Sequence, residues 1–350
     1  MLAAESKVVP TPASDSVHSE KIISWKQIVE PVEPFLAAVH ERLARQVNEF
    51  DSALIPYAEY TLNSSGKHLR PALVALSANA LGEVNDSHVT VAVIIEMVHL
   101  ATLVHDDIMD ESAIRRGRPT LAANWGNEIA VLFGDCLFAQ ALKLAASFPS
   151  PEICRAVATA TNTVCSGEIL QTQHRRDFSF SGSEYFRVLE MKTAELFALS
   201  CELAAYLSEA PAPQRAALRQ FGLAFGTAYQ VYDDCVDLFG SETAAGKSLG
   251  TDLAKGKLTL PVLLLWERAS AADRLQLDEL INNWQPSALP RVGGLLAKYH
   301  TLAPSLEVIT QYLEKARQWL RMLPESPGRA SLLGLTEHLA RQTGELGVLV

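Results

Sequence analysis

Two clusters of aspartate residues are the strongest chemical signal in this chain of 350 residues. Both have the form D-D-x-x-D: the first comprises Asp106, Asp107 and Asp110, and the second comprises Asp233, Asp234 and Asp237. A helix projects residues four positions apart from one face, so the first and last acids of each cluster would point together. Crowded carboxylates repel one another and are costly to desolvate, which indicates bound cations. Hard divalent ions, which take oxygen ligands, are the expected partners.

Magnesium, as several ions, is the predicted metal. Magnesium keeps part of its water shell and is completed by phosphate oxygens, so a few carboxylates suit a metal–diphosphate complex better than a closed protein cage. Calcium is disfavoured because the sequence contains no D-x-D-x-D-G loop, and zinc is disfavoured because no cysteine or histidine cluster accompanies the acids. One D-D-x-x-D cluster alone could be a solvated helix end. Its repetition favours a diphosphate site.

Basic residues beside predicted turns could bind the diphosphate directly. They are Arg115 and Arg116 after the first acidic cluster, Lys67 and Arg70 where a loop leads into a helix, and Lys247 and Lys257 in a glycine-rich stretch after the second cluster. Free backbone amides at a helix start also favour an anion, so residues 67–70 predict a second phosphate site. A loop of glycines and lysines alone is usually a solvated turn.

Two further polar residues lie on apolar helical segments. His99 precedes Asp106 by seven residues, which returns a helix to within roughly 20° of the same face. A lone histidine on an apolar helix is more often a core residue, but this alignment favours a place in the site. Lys192, in LEMKTAELF, either extends to solvent or points at the bound anions.

The elements that must position these residues are helices. From about Trp25 onward apolar residues recur at intervals of three and four, and alternating patterns typical of strands are scarce. We predict an all-α protein: a flexible tail over residues 1–22, followed by one large helical domain over residues 23–350. No internal repeat or linker divides that domain.

Composition limits the compartment and the partners. The formal charge of −10 argues against binding to nucleic acid. Five scattered cysteines without a C-x-x-C pair predict no disulfide framework and favour a cytoplasmic protein. No run of eighteen apolar residues is free of charge, so we expect no membrane span, although an apolar product could draw the protein to a membrane surface.

The order of motifs resembles that of the trans-prenyl diphosphate synthase, or polyprenyl synthetase, family. From about Gly66 to Pro261 the chain carries GK-x-x-RP, E-x-x-H, DD-x-x-D with RRG-x-PT, GE-x-x-Q, KTA, YQ-x-x-DD-x-x-D and GK-x-x-GTDL-x-x-GK-x-TLP. The resemblance implies a single helical bundle of the isoprenoid synthase type with a central cavity. It implies a prenyltransferase that adds isopentenyl diphosphate head-to-tail to an allylic diphosphate and makes a linear all-trans polyprenyl diphosphate, and it suggests a homodimer.

The resemblance also implies a role for each matching residue. Metal ligands would be Asp106, Asp110 and Asp233, supported by Asp107, Asp234 and Asp237. The allylic diphosphate would contact Arg115, Lys192, Lys247 and Lys257, and isopentenyl diphosphate would contact Lys67, Arg70, His99 and Arg116. Gln171 and Gln230 would line the reaction channel, and Thr193 would stabilise developing positive charge. Ser65 and His68 stand where the family more often has Gly and Arg, so we expect weaker or pH-dependent isopentenyl binding.

Small residues before the first acidic cluster predict a medium-to-long product, hexaprenyl to decaprenyl, of the kind attached to quinone rings. Ala101 and Thr102 lie about one turn below Asp106, where an aromatic residue would close the cavity early, and Val98 and Met97 are the next candidates for its floor. The alternatives are a farnesyl or geranylgeranyl diphosphate synthase, a class I terpene cyclase, a non-catalytic subunit of a synthase and a metal-storing bundle. The complete set of six aspartates argues against the subunit, and the basic loops argue against the metal-storing bundle.

Overall fold

The computed structural model describes residues 24–63, 66–241 and 249–348. The predicted tail over residues 1–22 lies outside the described residues, as do Ser65 and Lys247. The expected boundary between tail and domain therefore stays a prediction.

Helices make up 79% of the structure. The first half contains α1 (Trp25–Val29), α2 (Glu33–Gln46), α3 (Ile55–Leu62), α4 (Leu69–Asn79), α5 (Asp86–Met109), α6 (Leu121–Trp125), α7 (Asn127–Ala145) and α8 (Pro151–Gln173). The second contains α9 (Gly182–Leu189), α10 (Glu195–Leu207), α11 (Ala212–Phe239), α12 (Thr251–Ala254), α13 (Leu260–Arg268), α14 (Ala271–Asn282), α15 (Leu289–Lys298), α16 (Leu302–Leu320) and α17 (Pro327–Val348). Short 3-10 helices cover Glu30–Val32, Val47–Glu49, Ser52–Leu54 and Pro286–Ala288, and a π-helical turn, Glu190–Ala194, joins α9 to α10.

Helix α5, which carries the first acidic cluster, is the apolar centre of the fold. The side chain of Asn85 caps its start by accepting hydrogen bonds from the backbone amides of Ser87 and His88. Its length and hydropathy would suffice to cross a membrane, but 72% of its most apolar window is buried inside the protein. Because α4, α7 and α10 pack around it, α5 is a core helix.

Helix α11 carries the second acidic cluster near its C-terminal end. It packs against α10 on one side and α16 on another, and it ends at Gly240. Helix α10 contacts both α5 and α11, so it holds the two acidic helices in one body. The predicted all-α fold is confirmed.

The only strands in the described part of the chain form a short hairpin after α5. Strand β1 (Ile114–Arg115) pairs antiparallel with β2 (Arg118–Pro119), with Arg115 opposite Arg118. The two connecting residues, Arg116 and Gly117, have φ angles of 52° and 73°. Positive φ at both positions of a two-residue turn matches the twist of a hairpin. The turn fixes Arg115 and Arg116 directly beyond the first acidic cluster.

Candidate active site

A cavity of about 1050 Å³ lies between the ends of α5 and α11, as expected from the resemblance. Helix α8, the π-helical turn, the hairpin and the segment after α12 complete its walls. Most predicted site residues line it: Arg70, His99, Thr102, Asp106, Asp107, Asp110, Arg115, Arg116, Lys192, Thr193, Gln230, Asp233 and Lys257. The fold therefore brings residues from five separate parts of the sequence to one cavity.

Other predicted residues lie behind the wall or away from it. Among the described residues, Gln171, Asp234, Asp237, Met97, Val98 and Ala101 do not line the cavity, and Lys67 does not either. Lys67 is exposed on the side of α17, where burial, Arg341 and Lys67 together lower the pKa of His338. Of the four residues predicted to set chain length, Thr102 alone faces the cavity as described.

Arg115 pairs with Asp107 across the hairpin and the end of α5. Its Nε lies 2.8 Å from one carboxylate oxygen and 3.0 Å from the other. Burial raises the pKa of Asp107, and the charge of Arg115 opposes that rise only in part. The hairpin thus delivers a guanidinium to the first acidic cluster, where it can neutralise a carboxylate or bind an anion.

Asp110 is enclosed by three cations. Lys257 Nζ lies 2.8 Å and Lys255 Nζ 3.1 Å from Oδ2, and Arg175 Nη2 donates to Oδ1 at 2.9 Å. Burial would raise the pKa of Asp110, but the two lysines outweigh burial and hold that pKa below its usual value. Asp110 is therefore ionised, which is the state in which a carboxylate can bind a metal ion.

Lys192 points into the site and does not extend to solvent. Its Nζ forms an ion pair with Glu168, donates a hydrogen bond to Gln171 Oε1 at 3.0 Å, and lies 3.8 Å from Asp106 Oδ2. Burial would lower the pKa of Lys192, but Asp106 and Glu168 raise it, so the amine stays charged. Burial raises the pKa of Asp106. Gln171 does not line the cavity, but it contacts Lys192, which does.

The π-helical turn explains how Lys192 and Thr193 both reach the site. A π turn adds a residue to the helix and redirects its side chains, a feature frequent at functional sites. Gly167 on α8 lies against this turn, and a Cβ there would be 2.8 Å from the backbone nitrogen of Lys192. The glycine permits the close approach that places Glu168, its neighbour, beside Lys192.

A chain of hydrogen bonds fixes the cavity face of α11. Thr193 Oγ1 donates to Gln230 Oε1 at 3.0 Å, and Gln230 Nε2 donates to Asp234 Oδ1 at 2.8 Å. Tyr185 Oη donates to the other oxygen of Asp234 at 2.6 Å. Burial, with Asp252 nearby, raises the pKa of Asp234 well above its usual value. Asp234 is thus placed to orient Gln230 and Thr193.

Asp237 organises the segment that follows α11. Its carboxylate accepts hydrogen bonds from Thr251 Oγ1 at 2.7 Å and from the backbone amide of Asp252 at 3.1 Å. The backbone oxygen of Asp237 also accepts from Gly250 at 2.8 Å. These bonds position the segment that ends in Lys255 and Lys257, both of which line the cavity.

A second set of basic residues lies around His99. Arg70 and Arg116 line the cavity with His99, whose pKa burial and these two arginines hold well below its usual value. The Arg116 guanidinium lies against Gly66. The Arg70 guanidinium stacks 4.8 Å above the Phe197 ring, and its buried Nε has no hydrogen-bond partner. A neutral imidazole beside two cations suits an anionic ligand.

A family model described as polyprenyl synthetase matches residues 52–292. The chain belongs to the polyprenyl synthetase family. All-trans-nonaprenyl-diphosphate synthase (geranyl-diphosphate specific) from Rhodobacter capsulatus is 35% identical over 90% of this chain and 97% of the relative. Heptaprenyl diphosphate synthase component 2 from Geobacillus stearothermophilus is 36% identical over 88% and 95%. A crystal structure of polyprenyl synthase from Caulobacter crescentus CB15, complexed with calcium and isoprenyl diphosphate, matches with TM-score 0.85 and 32% identity over 91% of this chain and 98% of that chain.

Membership of the polyprenyl synthetase family confirms the predicted fold type and enzyme class. The chain is a trans-prenyltransferase that forms polyprenyl diphosphates from isoprenyl diphosphate substrates. The calcium in the Caulobacter structure is consistent with divalent metal use in the family.

Sequence reasoning missed several residues that belong to this polyprenyl synthetase site. They are Glu96, Glu168, Arg175, Tyr185, Asp252 and Lys255. Glu168 had a signal, because the GE-x-x-Q motif places it one helical turn before Gln171. Lys255 lies two residues before Lys257, yet only Lys257 was assigned a role. Arg175 follows α8 in a polar stretch and has no signal short of the fold itself.

Proposed function

We propose that this enzyme condenses isopentenyl diphosphate with an allylic diphosphate and repeats the step to give a product of medium to long chain length. The carrying observation is that the basic side chains of one cavity surround two different centres. Arg115, Lys192 and Lys257 lie beside Asp107, Asp106 and Asp110, whereas Arg70 and Arg116 lie close enough to His99 to lower its pKa. Two diphosphate substrates need two such groups, and a terpene cyclase needs one.

Magnesium fits the donor set of the acidic helices. Asp106, Asp110 and Asp233 line the same cavity and offer carboxylate oxygens alone, the ligands that magnesium prefers. Within the described residues no three acidic, histidine or cysteine side chains already form a metal-binding group. A metal bound by these carboxylates would need further ligands, which diphosphate oxygens and water can supply. Bound divalent ions would supply charge neutralisation for the departing diphosphate.

The protein side chains do the remaining work at the allylic site. Arg115 and Lys192 aim positive charge at the leaving diphosphate in a cavity where low dielectric strengthens that attraction. Thr193 and Gln230, fixed by Asp234, present polar oxygens to the charge that develops on the allylic carbon. Arg70 and Arg116 hold isopentenyl diphosphate so that its double bond lies close to that carbon.

Labelled isopentenyl diphosphate tests this function directly. Purified protein is incubated with magnesium and with dimethylallyl, geranyl or farnesyl diphosphate in turn, and the products are separated by length after removal of the phosphates. We expect magnesium-dependent incorporation into products of hexaprenyl to decaprenyl length. Products that stop at farnesyl or geranylgeranyl length would support the short-chain alternative. No incorporation with any primer would support the non-catalytic subunit.

We expect a large side chain at position 102 to shorten the polyprenyl product most directly. Thr102 lines the cavity one turn below Asp106, whereas Ala101 beside it is fully buried. Thr102→Phe should therefore shorten the product, and Ala101→Phe should shorten it by displacing its neighbours. Leu275→Phe, at a position 73% exposed on α14, is the control and should leave the product unchanged. Identical product lengths in all three variants would refute this assignment.

We also propose a cytoplasmic homodimer that supplies a quinone side chain. The similarity to heptaprenyl diphosphate synthase component 2 raises a pairing with a second kind of chain as the alternative. Light scattering of the purified protein, together with the incorporation assay on the same sample, distinguishes them. An active dimer of this chain alone supports the homodimer, and an inactive monomer supports the two-component enzyme.

A further inference from the structure

Asp110 is contacted by two cations that have no role in the proposed function so far. Arg175 comes from the segment after α8, and Lys255 comes from the segment after α12. Together with Lys257 they surround a carboxylate that is 5% exposed. Three cations on one buried carboxylate are more than that carboxylate can neutralise.

A direct backbone contact joins the segment after α8 to the segment after α12. The backbone amide of Arg176 donates to the carbonyl of Gly256 at 2.7 Å. Gly256 has φ of 74°, and a Cβ there would lie 2.7 Å from Cγ of Arg176. Glycine is therefore required both for the conformation and for the close approach. This contact joins the segments that carry Arg175 and Lys255, which reach different oxygens of the Asp110 carboxylate.

The positive charge around Asp110 exceeds the negative charge of its carboxylate, so an additional anion could bind there. Asp107 also interacts with Lys255, but its direct partner is Arg115. Arg175 Nη1 makes a 3.3 Å contact with the backbone oxygen of Met109, and its buried Nε has no hydrogen-bond partner. A buried donor without a partner is costly, so a ligand oxygen there would be favourable. Arginine and lysine donors of this kind suit phosphate oxygens.

We propose that Arg175 and Lys255 bind the diphosphate of the allylic substrate. This inference rests on the proposed function. In the free enzyme both cations form ion pairs with Asp110. When a divalent ion binds the Asp110 carboxylate, both cations instead contact the phosphate oxygens. The two cations then oppose binding of the metal alone and favour binding of the metal together with diphosphate. Binding of the metal ion is thereby linked to binding of the allylic diphosphate.

The test separates metal binding from diphosphate binding in the Arg175→Gln/Lys255→Gln double variant. Manganese alone is titrated and followed by electron paramagnetic resonance, and inorganic diphosphate is titrated by calorimetry at saturating magnesium. We expect the double variant to bind manganese at least about twofold more tightly than the wild type does, because two cations that compete for Asp110 have been removed. We expect diphosphate to bind about tenfold or more weakly, because charge-assisted hydrogen bonds are lost. Arg155→Gln, an exposed arginine near the start of the same α8, is the matched control and should change neither affinity.

The opposite signs of the two effects make the outcomes distinct. Weakening of both affinities in the double variant would indicate structural damage and overturn the inference, as would no change in either. Arg175→Lys should restore part of the diphosphate affinity, since it keeps the charge. If the wild type itself binds no diphosphate in the presence of magnesium, the proposed function fails as well. If the wild type binds diphosphate and the double variant matches it, the inference alone fails.

Discussion

The ion pair between Glu168 and Lys192 fixes the direction of the Lys192 ammonium group, for which we propose a role in binding the allylic diphosphate. Lys192 has two further neighbours, Gln171 and Asp106, but Asp106 is expected to be taken up by metal. Glu168→Ala should leave Lys192 without its main anchor and lower kcat/KM for the allylic substrate by roughly tenfold, with a smaller effect on KM for isopentenyl diphosphate. Steady-state kinetics with each substrate varied in turn measures this.

The control for this prediction lies on the same helix. Glu152→Ala removes an exposed carboxylate near the start of α8, where it pairs with Arg155. Its kinetics should match those of the wild type. Equal losses for both substrates in Glu168→Ala would indicate a general disturbance of the site and contradict a positioning role for Glu168.

Tyr185 makes a buried hydrogen bond on which the order of α11 depends. Tyr185→Phe would leave one oxygen of Asp234 without a donor inside the protein, which should lower the free energy of unfolding by about 1 to 3 kcal/mol. Tyr206→Phe removes a hydroxyl that bonds Ser150 at 2.9 Å in a partly buried position, and should cost less. Urea denaturation of both variants gives the comparison. A larger loss in Tyr206→Phe would contradict the importance of the Asp234 bond.

At the level of single residues, sequence predicted the side chains whose spacing follows helix geometry. Asp106, Asp110 and His99 share a helix face because residues four and seven apart do so in any helix. Lys67 could not be placed, because its direction depends on contacts with α17, more than 250 residues later in the chain. Arg175 and Lys255 both reach Asp110 because their segments are joined by the backbone contact between Arg176 and Gly256, for which no local sequence pattern exists.

The π-helical turn is the element that gives the site its shape. Gly167→Ala should push α8 away from it, since the new Cβ would lie 2.8 Å from Lys192 N and 2.8 Å from Met191 Cβ. We expect the free energy of unfolding to fall by about 1 to 3 kcal/mol and kcat to fall with it. Thermal unfolding and kinetics measure the two effects together.

Gly294 on α15 offers the contrasting substitution. Apart from Gly294, its chain neighbours and the backbone of its own helix, no atom lies within 4 Å of the position of a Cβ there. Gly294→Ala should therefore raise the free energy of unfolding by up to about 1 kcal/mol through helix propensity. Activity should not change. Stabilisation in Gly167→Ala as well would contradict the close approach of α8 to the turn.

Some boundaries of helices and strands are set by the local sequence, and others are set by packing against distant parts of the chain. The 3.6-residue periodicity predicted the helices, and the Asn85 cap marks the start of α5. The π-helical turn could not be predicted, because EMKTA reads as ordinary helix and the extra residue is stabilised by packing against α8. The β hairpin after α5 was likewise missed as a strand pair, although the RRG sequence supplies the turn residues that it requires.

Buried histidines give the whole molecule a pH-dependent stability. Burial lowers the pKa of His99 and of His88 below the unfolded value of about 6.5. Between the folded and unfolded pKa values the unfolded chain binds a proton that the native protein does not, so the free energy of unfolding falls as pH falls below 6.5. The slope is at most about 1.4 kcal/mol per pH unit for each histidine.

His99→Asn should therefore flatten the fall in unfolding free energy between pH 7 and pH 5. Urea denaturation at several pH values measures the slope, with His88→Asn as a second variant and the double variant as a test of additivity. An unchanged slope in His99→Asn would show that His99 takes up its proton in the native state.

The all-α architecture and the meeting of the two acidic helices followed from pattern and resemblance, whereas the packing order did not. That α10 contacts both α5 and α11 depends on long-range complementarity of side chains. Lys247 and residues 1–22, for which predictions were made, lie outside the described residues.

The apolar character of α5 has a consequence during protein synthesis. Its covering helices α7 and α10 lie later in the chain, with α10 beginning at Glu195, some way behind the end of α5 at Met109. As the chain leaves the ribosome, this 24-residue helix is made after α4 but before α7 and α10, which also pack against it. Such exposed apolar segments favour aggregation, so we expect chaperones to bind the nascent chain until α10 has emerged.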